Sequence, residues 1–243
     1  MTESQQRIKQ LAEQFKSQEA AYLSSAYQES QVRQDFIDKF FTYLGWDVTH
    51  EIQKNPYEQE VKIENKVNTS SSQRRADYAF FTAPNFRDVK FFVEAKKHSK
   101  SLANPNDYHQ TIRYGWNSKT PIAVLTDFEE FHILDCRYKP DIKTAIDRKI
   151  EVFHYTDYED EEKFQRIFYL FNRNEVANAS IDKYAAALPK PRAELSILTV
   201  TLLQTRGDLP LKKVALTITN LRYLEHQPIC ISGNPSWKIA VDR

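Results

Sequence analysis

The stretch from Asp77 to Lys97 constrains the fold of this chain more than any other. Two runs rich in β-branched and aromatic residues, Asp77–Phe81 and Asp88–Lys97, flank a polar turn that contains Pro84 and Asn85. This pattern predicts a β-hairpin, because such runs favour strands and the polar residues between them favour a turn. The charges within the two runs are unusual for strands of an apolar core.

The second strand of this hairpin would carry charged side chains on one face. Side chains alternate along a strand with a period of two, so Phe92, Glu94 and Lys96 share one face while Phe91 and Val93 share the other. Charged groups are rarely buried without partners. The face that carries Glu94 and Lys96 must therefore meet water, a metal ion or a ligand.

Asp77 and Glu94 are candidate metal ligands. If they lie side by side about 4 Å apart, their charges repel by roughly 4 kcal/mol at an effective dielectric near 20. A divalent cation removes this repulsion, and a small set of oxygen ligands suits Mg²⁺. Lys96 could then stabilise or help to deprotonate an attacking water, as phosphodiester hydrolysis requires. An ordinary exposed ion pair, which contributes little free energy, is the alternative interpretation.

Basic residues are concentrated around this candidate site. The chain of 243 residues has a net charge of only +1, but Lys62–Lys119 contains 11 Lys and Arg against 5 Asp and Glu, whereas Thr126–Phe164 contains 6 against 12. The local basic excess predicts contact with a phosphate backbone. A solvated charged surface explains the same pattern without nucleic acid.

Other features argue against several classes of protein. Two cysteines are too few for a disulfide scaffold. No apolar run approaches the roughly 20 residues of a membrane span, and the first residues lack an apolar signal segment, so we expect a cytoplasmic protein. No His or Cys spacing is typical of a zinc site, and His98 and His109 are therefore not assigned to one.

Apolar periodicity predicts an α/β fold. The expected order is two helices, a run of antiparallel strands, a helix and two more strands, which indicates a mixed β-sheet with helices on both faces. Helices are predicted over residues 4–27, 30–44, 107–116 and 159–171. Strands are predicted over residues 46–52 and 57–67, in the hairpin, and over 121–126 and 131–136.

Several separated motifs within residues 29–184 resemble one family. They are Gln31–Ile37 with Leu44–Asp47, Asp77–Phe80, Phe92–Lys97, Gln110–Trp116 with its Q-x-x-x-Y pattern, and Leu125–Phe131. The region is similar to the N-terminal endonuclease domain of bifunctional (type IIG) restriction-modification enzymes and of type I restriction enzyme R subunits, within the PD-(D/E)xK superfamily. The resemblance implies a restriction-endonuclease-like fold.

One residue departs from the pattern of that family. Ala76 stands where the family commonly has proline. Proline would only preset the backbone ahead of the strand, so its absence should not remove the metal site.

The resemblance implies roles for the charged residues of the hairpin. Asp77 and Glu94 would bind Mg²⁺, for which Mn²⁺ could substitute, and Lys96 would be the catalytic lysine. Glu29, at the start of the second predicted helix, would be an additional acidic ligand. The alternative for Glu29 is a favourable interaction with the helix dipole.

The resemblance also implies roles for Gln110 and Tyr114, which share a helix face because they are four residues apart. Gln110 would orient Lys96 or the backbone, and Tyr114 would contact DNA beside the scissile phosphate. The alternative for Tyr114 is packing of the helix against the sheet. The basic residues that we expect to contact phosphates are Arg74, Arg75, Lys97, Lys100, Arg113 and Lys119.

Residues 187–243 are expected to form a small α+β appendage to an endonuclease domain over residues 1–186. Pro189 and Pro191 favour an extended linker, so we expect the first 186 residues to fold without the rest. Helices are predicted over 193–204, 209–218 and 220–226, followed by a hairpin of 229–232 with 237–241. The appendage would be a winged-helix-like module that reads DNA, or elements that cover the nuclease core. Arg222 alone could read bases from the third helix, which favours the covering role.

These expectations combine into a Mg²⁺-dependent DNA endonuclease of a restriction-modification or defence system. The alternatives are a DNA-binding module of nuclease fold that needs a partner chain, and a fragment of a longer enzyme. A methyltransferase, specificity or motor subunit would be that partner, and a homodimer is a further possibility. The methyltransferase domain of the bifunctional enzymes is not expected here. We expect no association with a membrane.

Overall fold

The computed structural model describes residues 2–68, 73–98, 101–189, 199–204, 213–217 and 237–240. A six-stranded mixed sheet lies in the larger, N-terminal part of the chain. Its strands are β1 (Val61–Asn68), β2 (Gln73–Phe80), β3 (Phe91–Ala95), β4 (Ile122–Thr126), β5 (Glu130–Asp135) and β6 (Lys149–His154). They are hydrogen-bonded in the order β1-β2-β3-β4-β5-β6, and only β3 and β4 pair in parallel. The predicted mixed α/β fold is confirmed.

Eight α-helices surround this sheet among the described residues. They are α1 (Glu3–Ser17), α2 (Glu19–Tyr22), α3 (Glu29–Val32), α4 (Asp38–Tyr43), α5 (Pro105–Ser118), α6 (Glu161–Phe171), α7 (Arg173–Ala177) and α8 (Ser180–Ala187). A π-helical turn spans Arg33–Ile37, and short 3-10 helices span Ile146–Arg148 and Tyr155–Glu159. No described helix is long and apolar enough to cross a bilayer.

Helix α5 makes the connection that the parallel pair β3 and β4 requires. The Asn104 side chain caps its start by accepting a hydrogen bond from the Asn106 N–H, and Pro105 occupies the first turn. The helix ends at Ser118, and Lys119 after it adopts a left-handed conformation with φ of 59°. The helix predicted over residues 107–116 lies within these bounds.

The two faces of the sheet bury different sets of residues, as the period of two predicts. Phe91, Val93 and Ala95 of β3 pack on the face that carries α1, α4 and α6. Phe92 packs on the opposite face, beside residues of α5 such as Ile112. Glu94 has the same parity as Phe92, so its side chain is directed toward α5.

The prediction of a strand over residues 46–52 is wrong. The carboxylate of Asp47 accepts hydrogen bonds from the backbone N–H groups of Glu51, Ile52 and Gln53, at 2.6–2.9 Å. Such local side-chain bonds compete with a strand ladder. The strand predicted over 57–67 begins only at Val61, because the residues before it belong to the same irregular loop.

The N-terminal helices are shorter than predicted. The helix expected over 4–27 ends at Ser17, and Gln18 separates it from the single turn of α2. The helix expected over 30–44 forms, but the π-helical turn interrupts it. Such turns insert one extra residue and rotate the side chains that follow. Strand β6 was not predicted.

The chain divides into two compact units, Met1–Leu188 and Pro189–Arg243. In the second unit a three-stranded sheet has the order β8-β7-β9, with β7 (Thr199–Gln204), β8 (Lys213–Thr217) and β9 (Trp237–Ala240). The helices predicted over 193–204 and 209–218 are therefore wrong where residues are described, because their β-branched residues favour strands. Strand β9 was predicted, but it pairs with β7. The helix predicted over 220–226 and the strand over 229–232 lie outside the described residues.

Candidate active site

The hairpin register brings Asp77 and Glu94 together. Tyr78 pairs with Val93 in the antiparallel ladder of β2 and β3, so the next position places Asp77 opposite Glu94. The Asp77 Oδ2 atom accepts a hydrogen bond of 2.8 Å from the backbone N–H of Ala95. The two acids predicted from the sequence therefore lie side by side at the carboxyl end of β3.

A basic residue that the sequence analysis did not assign to the site lies beside Asp77. Arg33 Nη1 is 3.5 Å from Asp77 Oδ1, and its Nε donates to the hydroxyl of Tyr78 at 3.2 Å. The guanidinium lies over the Tyr78 ring, 4.9 Å from its centroid. Arg33 is the first residue of the π-helical turn, and π-helical turns are frequent at functional sites.

Glu94 is the most deeply buried acid of the site, with 4% of its surface exposed. Its Oε1 accepts hydrogen bonds of 2.8 Å from Lys96 Nζ and of 2.8 Å from Gln110 Nε2. Its Oε2 is also buried, and no described residue donates a hydrogen bond to it. Burial, and then the negative charge of Asp77, raise the pKa of Glu94 to about 7.

This arrangement fits a divalent cation. An unpartnered carboxylate oxygen in a buried position is costly, and a second acid beside it makes ionisation of both costly. A cation would compensate both charges and coordinate the unpartnered oxygen. Asp77 and Glu94 thus provide the hard oxygen ligands that Mg²⁺ prefers.

Lys96 lies directly after β3 and is held by backbone and side-chain contacts. Its N–H donates to the carbonyl of Thr126 at 2.9 Å, which extends the parallel pairing of β3 and β4. Its ammonium contacts Glu94 Oε1 at 2.8 Å and the Ala95 carbonyl at 3.0 Å. Burial alone would lower the pKa of Lys96, but the charge of Glu94 and its hydrogen bond raise it. The lysine is therefore a cation at neutral pH.

Gln110 and Tyr114 join one hydrogen-bonded chain that ends on Glu94. Gln110 Nε2 donates to Glu94 Oε1 and also to the Tyr114 hydroxyl at 2.9 Å, and that hydroxyl donates to the Arg75 carbonyl at 2.9 Å. Tyr114 is 1% exposed. A direct contact between Tyr114 and DNA, which we expected, does not agree with this burial. Its position links α5 to β2.

Glu29 lies in the first turn of α3, close enough that its charge raises the pKa values of both Glu94 and Lys96. Burial and Asp77 affect the pKa of Glu94 more strongly. Glu29 therefore lies near the acidic pair. This position is compatible with an additional ligand.

The predicted phosphate contacts do not all lie near the site. Arg75 is exposed next to it, where it pairs with Glu64 at 2.9 Å, and Lys97 and Arg113 are half-buried. Lys119 is exposed directly after the C-terminal end of α5, and it precedes the first residue of β4 in the chain. Because a strand of five residues spans roughly 13 Å, Lys119 lies at the opposite edge of the sheet. The side chain of Arg74 and all of Lys100 lie outside the described part of the chain.

Comparison with known proteins identifies the region that contains this site. Residues 28–148 match the family described as Type I restriction enzyme R protein N terminus (HSDR_N). This matched region spans α3 to the short helix at Ile146–Arg148 and includes both acids, Lys96, Gln110 and Tyr114. The region belongs to this family.

A curated relative of this restriction-enzyme domain is the type II restriction enzyme and methyltransferase RM.Eco57I of Escherichia coli. The two are 33% identical over 180 residues, which cover 72% of this chain and 18% of the relative. The chain therefore spans less than a fifth of the length of this relative. No solved structure matches. The similarities agree with the resemblance found in the sequence.

Proposed function

We propose that residues 1–188 form the DNA-cleaving domain of a restriction-modification system and hydrolyse phosphodiester bonds with Mg²⁺. One observation carries this proposal. Glu94 lies opposite Asp77 with a buried, unpartnered Oε2, while its Oε1 contacts Lys96 at 2.8 Å. An exposed ion pair, the alternative interpretation, disagrees with side-chain exposures of only 12% for Lys96 and 5% for Glu94.

Asp77 and Glu94 would hold the Mg²⁺ ion, and Glu29 is the candidate for a third acidic contact. When bound, the ion would supply Lewis-acid stabilisation of the phosphoryl group, and Mn²⁺ could replace it. The guanidinium of Arg33 offsets part of the negative charge of Asp77. The N–H of Ala95 fixes the orientation of the Asp77 carboxylate.

Lys96 would stabilise the negative charge that develops on the phosphoryl group during hydrolysis. Because the pKa of Lys96 is raised by Glu94, the ammonium is a poor base and a good hydrogen-bond donor. Groups that stabilise developing charge in this way contribute about 10² to 10³ in rate. Of the two roles that the sequence left open for Lys96, we therefore favour charge stabilisation over deprotonation of water.

Gln110 and Tyr114 would position the reactive groups. Gln110 donates to the same oxygen of Glu94 that Lys96 contacts, so it limits the rotation of the carboxylate. Tyr114 anchors Gln110 to the backbone of Arg75. We propose that the phosphates of DNA are bound by Arg75, Lys97 and Arg113, together with Arg74 and Lys100.

A second candidate function is supported by the short coverage of the relative, of which the chain matches 18%. The domain would bind DNA, while a partner chain supplies target recognition or is required for cutting. A methyltransferase, specificity or motor subunit would be such a partner. The candidate active site would then not cleave DNA in the isolated chain.

One experiment separates these functions. The full chain is incubated with supercoiled plasmid and with short duplexes in Mg²⁺ or in EDTA, and binding to the duplexes is measured by fluorescence anisotropy. Cleavage that requires Mg²⁺ and is lost in Glu94→Gln supports the nuclease. Binding without cleavage supports the partner-dependent module. Absence of both binding and cleavage contradicts the proposed function.

A further inference from the structure

His98 is buried in a way that its packing does not explain. Only 7% of its surface is exposed, and neither ring nitrogen has a hydrogen-bond partner among the described residues. Its ring packs against those of Phe15, Tyr27 and Phe36, at centroid distances of 4.9, 6.0 and 6.2 Å. Buried polar groups without partners are rare in native structures because they cost free energy.

Two acids lie next to this histidine. One ligand atom each from His98, Asp127 and Glu129 lie within 4.8 Å of one another. His98 belongs to the loop that follows β3, and both acids belong to the turn between β4 and β5. Because β3 and β4 are parallel, both loops emerge at the same edge of the sheet. The three residues could therefore share one ion.

The turn that carries the acids is rigidly held. The Glu130 N–H donates to Asp127 Oδ1 at 2.8 Å, and the Thr126 hydroxyl donates to the Glu130 carbonyl at 2.7 Å. Asp127 is only 3% exposed, whereas the Glu129 side chain is 27% exposed. The turn thus presents one buried acid and one acid at the surface, which leaves a path for an ion to enter.

This cluster is separate from the candidate active site. The His98 ring contacts aromatic residues of the core cluster on the face of α1 and α4, such as Phe15 and Phe36. Glu94 is directed to the opposite face, where Gln110 of α5 contacts it. The His98 cluster and the candidate active site therefore share no residue and lie toward opposite faces of the sheet.

We propose that His98, Asp127 and Glu129 form a second metal site that binds a borderline transition-metal ion, with Zn²⁺ as the ion that fits best. One imidazole and two carboxylates are common Zn²⁺ ligands, whereas Mg²⁺ and Ca²⁺ prefer oxygen ligands alone. Ligand atoms about 2 Å from one tetrahedral ion are about 3.3 to 3.6 Å apart. Small side-chain rotations would bring the three groups from their present spacing to this one, and water would complete the coordination.

The protonation states of the ligands agree with this assignment. Burial lowers the pKa of His98 to about 4, so the imidazole is neutral and keeps a lone pair for a metal ion at neutral pH. Burial also raises the pKa of Asp127 to about 7, and a bound cation would offset the cost of ionising it. A further imidazole borders the cluster, because His154 Nε2 lies 3.8 Å from Glu129 Oε1.

The consequence of such a site would be structural. Lys96 precedes His98 by two residues, and its backbone N–H already donates to Thr126 beside the β4–β5 turn. An ion held by both loops would fasten the segment that carries the proposed catalytic lysine to its neighbouring strand. The site would thus stabilise the carboxyl edge of the sheet whether or not the active site contains Mg²⁺.

The test uses the full chain carrying Asp77→Asn and Glu94→Gln, so that the candidate active site cannot take up the titrated ion. Zn²⁺ is titrated by calorimetry, and Co²⁺ is added in parallel because its visible absorption reports ligation by nitrogen. We expect one Zn²⁺ per chain and a rise in Tm of about 5 °C or more at a hundredfold excess over Kd.

Adding His98→Phe to this chain keeps the aromatic packing but removes both ring nitrogens. We expect Zn²⁺ affinity to fall by more than the roughly 10-fold to 100-fold that loss of an outer-shell partner costs, and the Tm response to disappear. His109→Gln, which removes an imidazole from α5, is the matched control and should change neither. Unchanged Zn²⁺ binding in the His98→Phe chain would overturn the proposal, and so would absence of Zn²⁺ binding before that change.

A substitution at Glu129 tests the same site with less risk to folding, because its side chain is more exposed than that of His98. Glu129→Gln keeps the size of the half-exposed side chain and removes its charge. It is made in the chain that carries Asp77→Asn and Glu94→Gln and is titrated with Zn²⁺ in the same way. We expect a fall in Zn²⁺ affinity of at least about tenfold. An affinity equal to that of the parent under these conditions would contradict the proposed ligand set.

Discussion

Arg33 Nη1 lies 3.5 Å from Oδ1 of Asp77, so one of the two proposed metal ligands has a counter-charge within the fold. Both side chains are largely buried, with exposed fractions of 18% and 17%. Because a cation bound by Asp77 would experience repulsion from this guanidinium, Arg33 should stabilise the metal-free protein and weaken metal binding. Loss of Arg33 should therefore lower the stability of the metal-free protein but raise its affinity for the metal, so the two effects can be measured separately.

Arg33→Met should lower the free energy of unfolding of the metal-free protein by about 1 to 3 kcal/mol, since Asp77 loses a partner and Tyr78 loses a hydrogen bond. The affinity for Mg²⁺ should rise, by up to about tenfold. Denaturant titration in EDTA and calorimetric Mg²⁺ titration measure the two quantities. Arg7→Met, at an α1 side chain that is 54% exposed, is the control. A weaker Mg²⁺ affinity in Arg33→Met would show that the arginine supports the metal site and does not compete with it.

Tyr114→Phe should affect stability and leave DNA affinity unchanged. The substitution removes the hydroxyl that donates to the Arg75 carbonyl at 2.9 Å, and we expect a loss of about 1 kcal/mol in the free energy of unfolding. The buried ring cannot reach DNA, so anisotropy measurements with a labelled duplex should give the parent affinity. Tyr57→Phe, at a tyrosine that is 84% exposed, serves as control. Weaker DNA binding at unchanged stability would instead support a direct contact between Tyr114 and DNA.

Lys97 and Lys119 form a matched pair for testing the DNA-binding surface, because they flank opposite edges of the sheet. Lys97→Gln should weaken binding and reduce the dependence of log Kd on log salt by about 0.9, the contribution of one phosphate contact. Lys119→Gln should change neither value. Anisotropy titrations at several salt concentrations provide both. An equal effect of the two substitutions would place the DNA elsewhere.

Glu60 should make the fold sensitive to acid. It is 2% exposed, and its carboxylate accepts hydrogen bonds from Arg173 at 2.8 and 2.9 Å and from the Ala83 N–H at 2.8 Å. Burial alone would raise the pKa of Glu60, but these donors lower it below its usual value. A lowered carboxyl pKa contributes stability that is complete above the ordinary Glu pKa of 4.5 and is lost as the pH falls through the folded pKa.

Glu60→Gln should therefore be less stable than the parent above pH 4.5, by about 2 kcal/mol. This value lies below the roughly 3 to 5 kcal/mol of a fully buried pair because Arg173 is 34% exposed. The difference should shrink below pH 4.5, where the parent loses the contribution of the carboxylate. Denaturant unfolding from pH 3 to 7 measures it. A difference that does not change with pH would mean that the charge of Glu60 is irrelevant.

The parts of the site that follow from local pattern were predictable from the sequence. A period of two assigned Glu94 and Lys96 to one face, and apolar periodicity predicted a helix over residues 107–116, within the bounds of α5. Arg33 was missed because its contact with Asp77 joins residues far apart in the chain. Strand β6 was missed although Ile150, Val152 and His154 are spaced two residues apart, as side chains on one face of a strand are.

The His98 cluster could not be found by looking for zinc-ligand spacing. Its residues are brought together only by the parallel pairing of β3 and β4, which places the two loops after these strands side by side. The available signal was weaker: His98 and Asp127 each directly follow a predicted strand. The strand predicted over 46–52 failed for the opposite reason, since the bonds of Asp47 to the nearby backbone are local and override apolar alternation.

The most direct test of the central claim compares Glu94→Gln with Lys96→Ala in calorimetric Mg²⁺ titrations and in a plasmid cleavage assay under the same conditions. Glu94→Gln, like Asp77→Asn, should lose both Mg²⁺ binding and cleavage, because a carboxylate ligand is gone. Lys96→Ala should bind Mg²⁺ at least as well as the parent and lose about 10² to 10³ in cleavage rate. A Glu94→Gln protein that binds Mg²⁺ and cuts plasmid as the parent does would contradict the account at its centre.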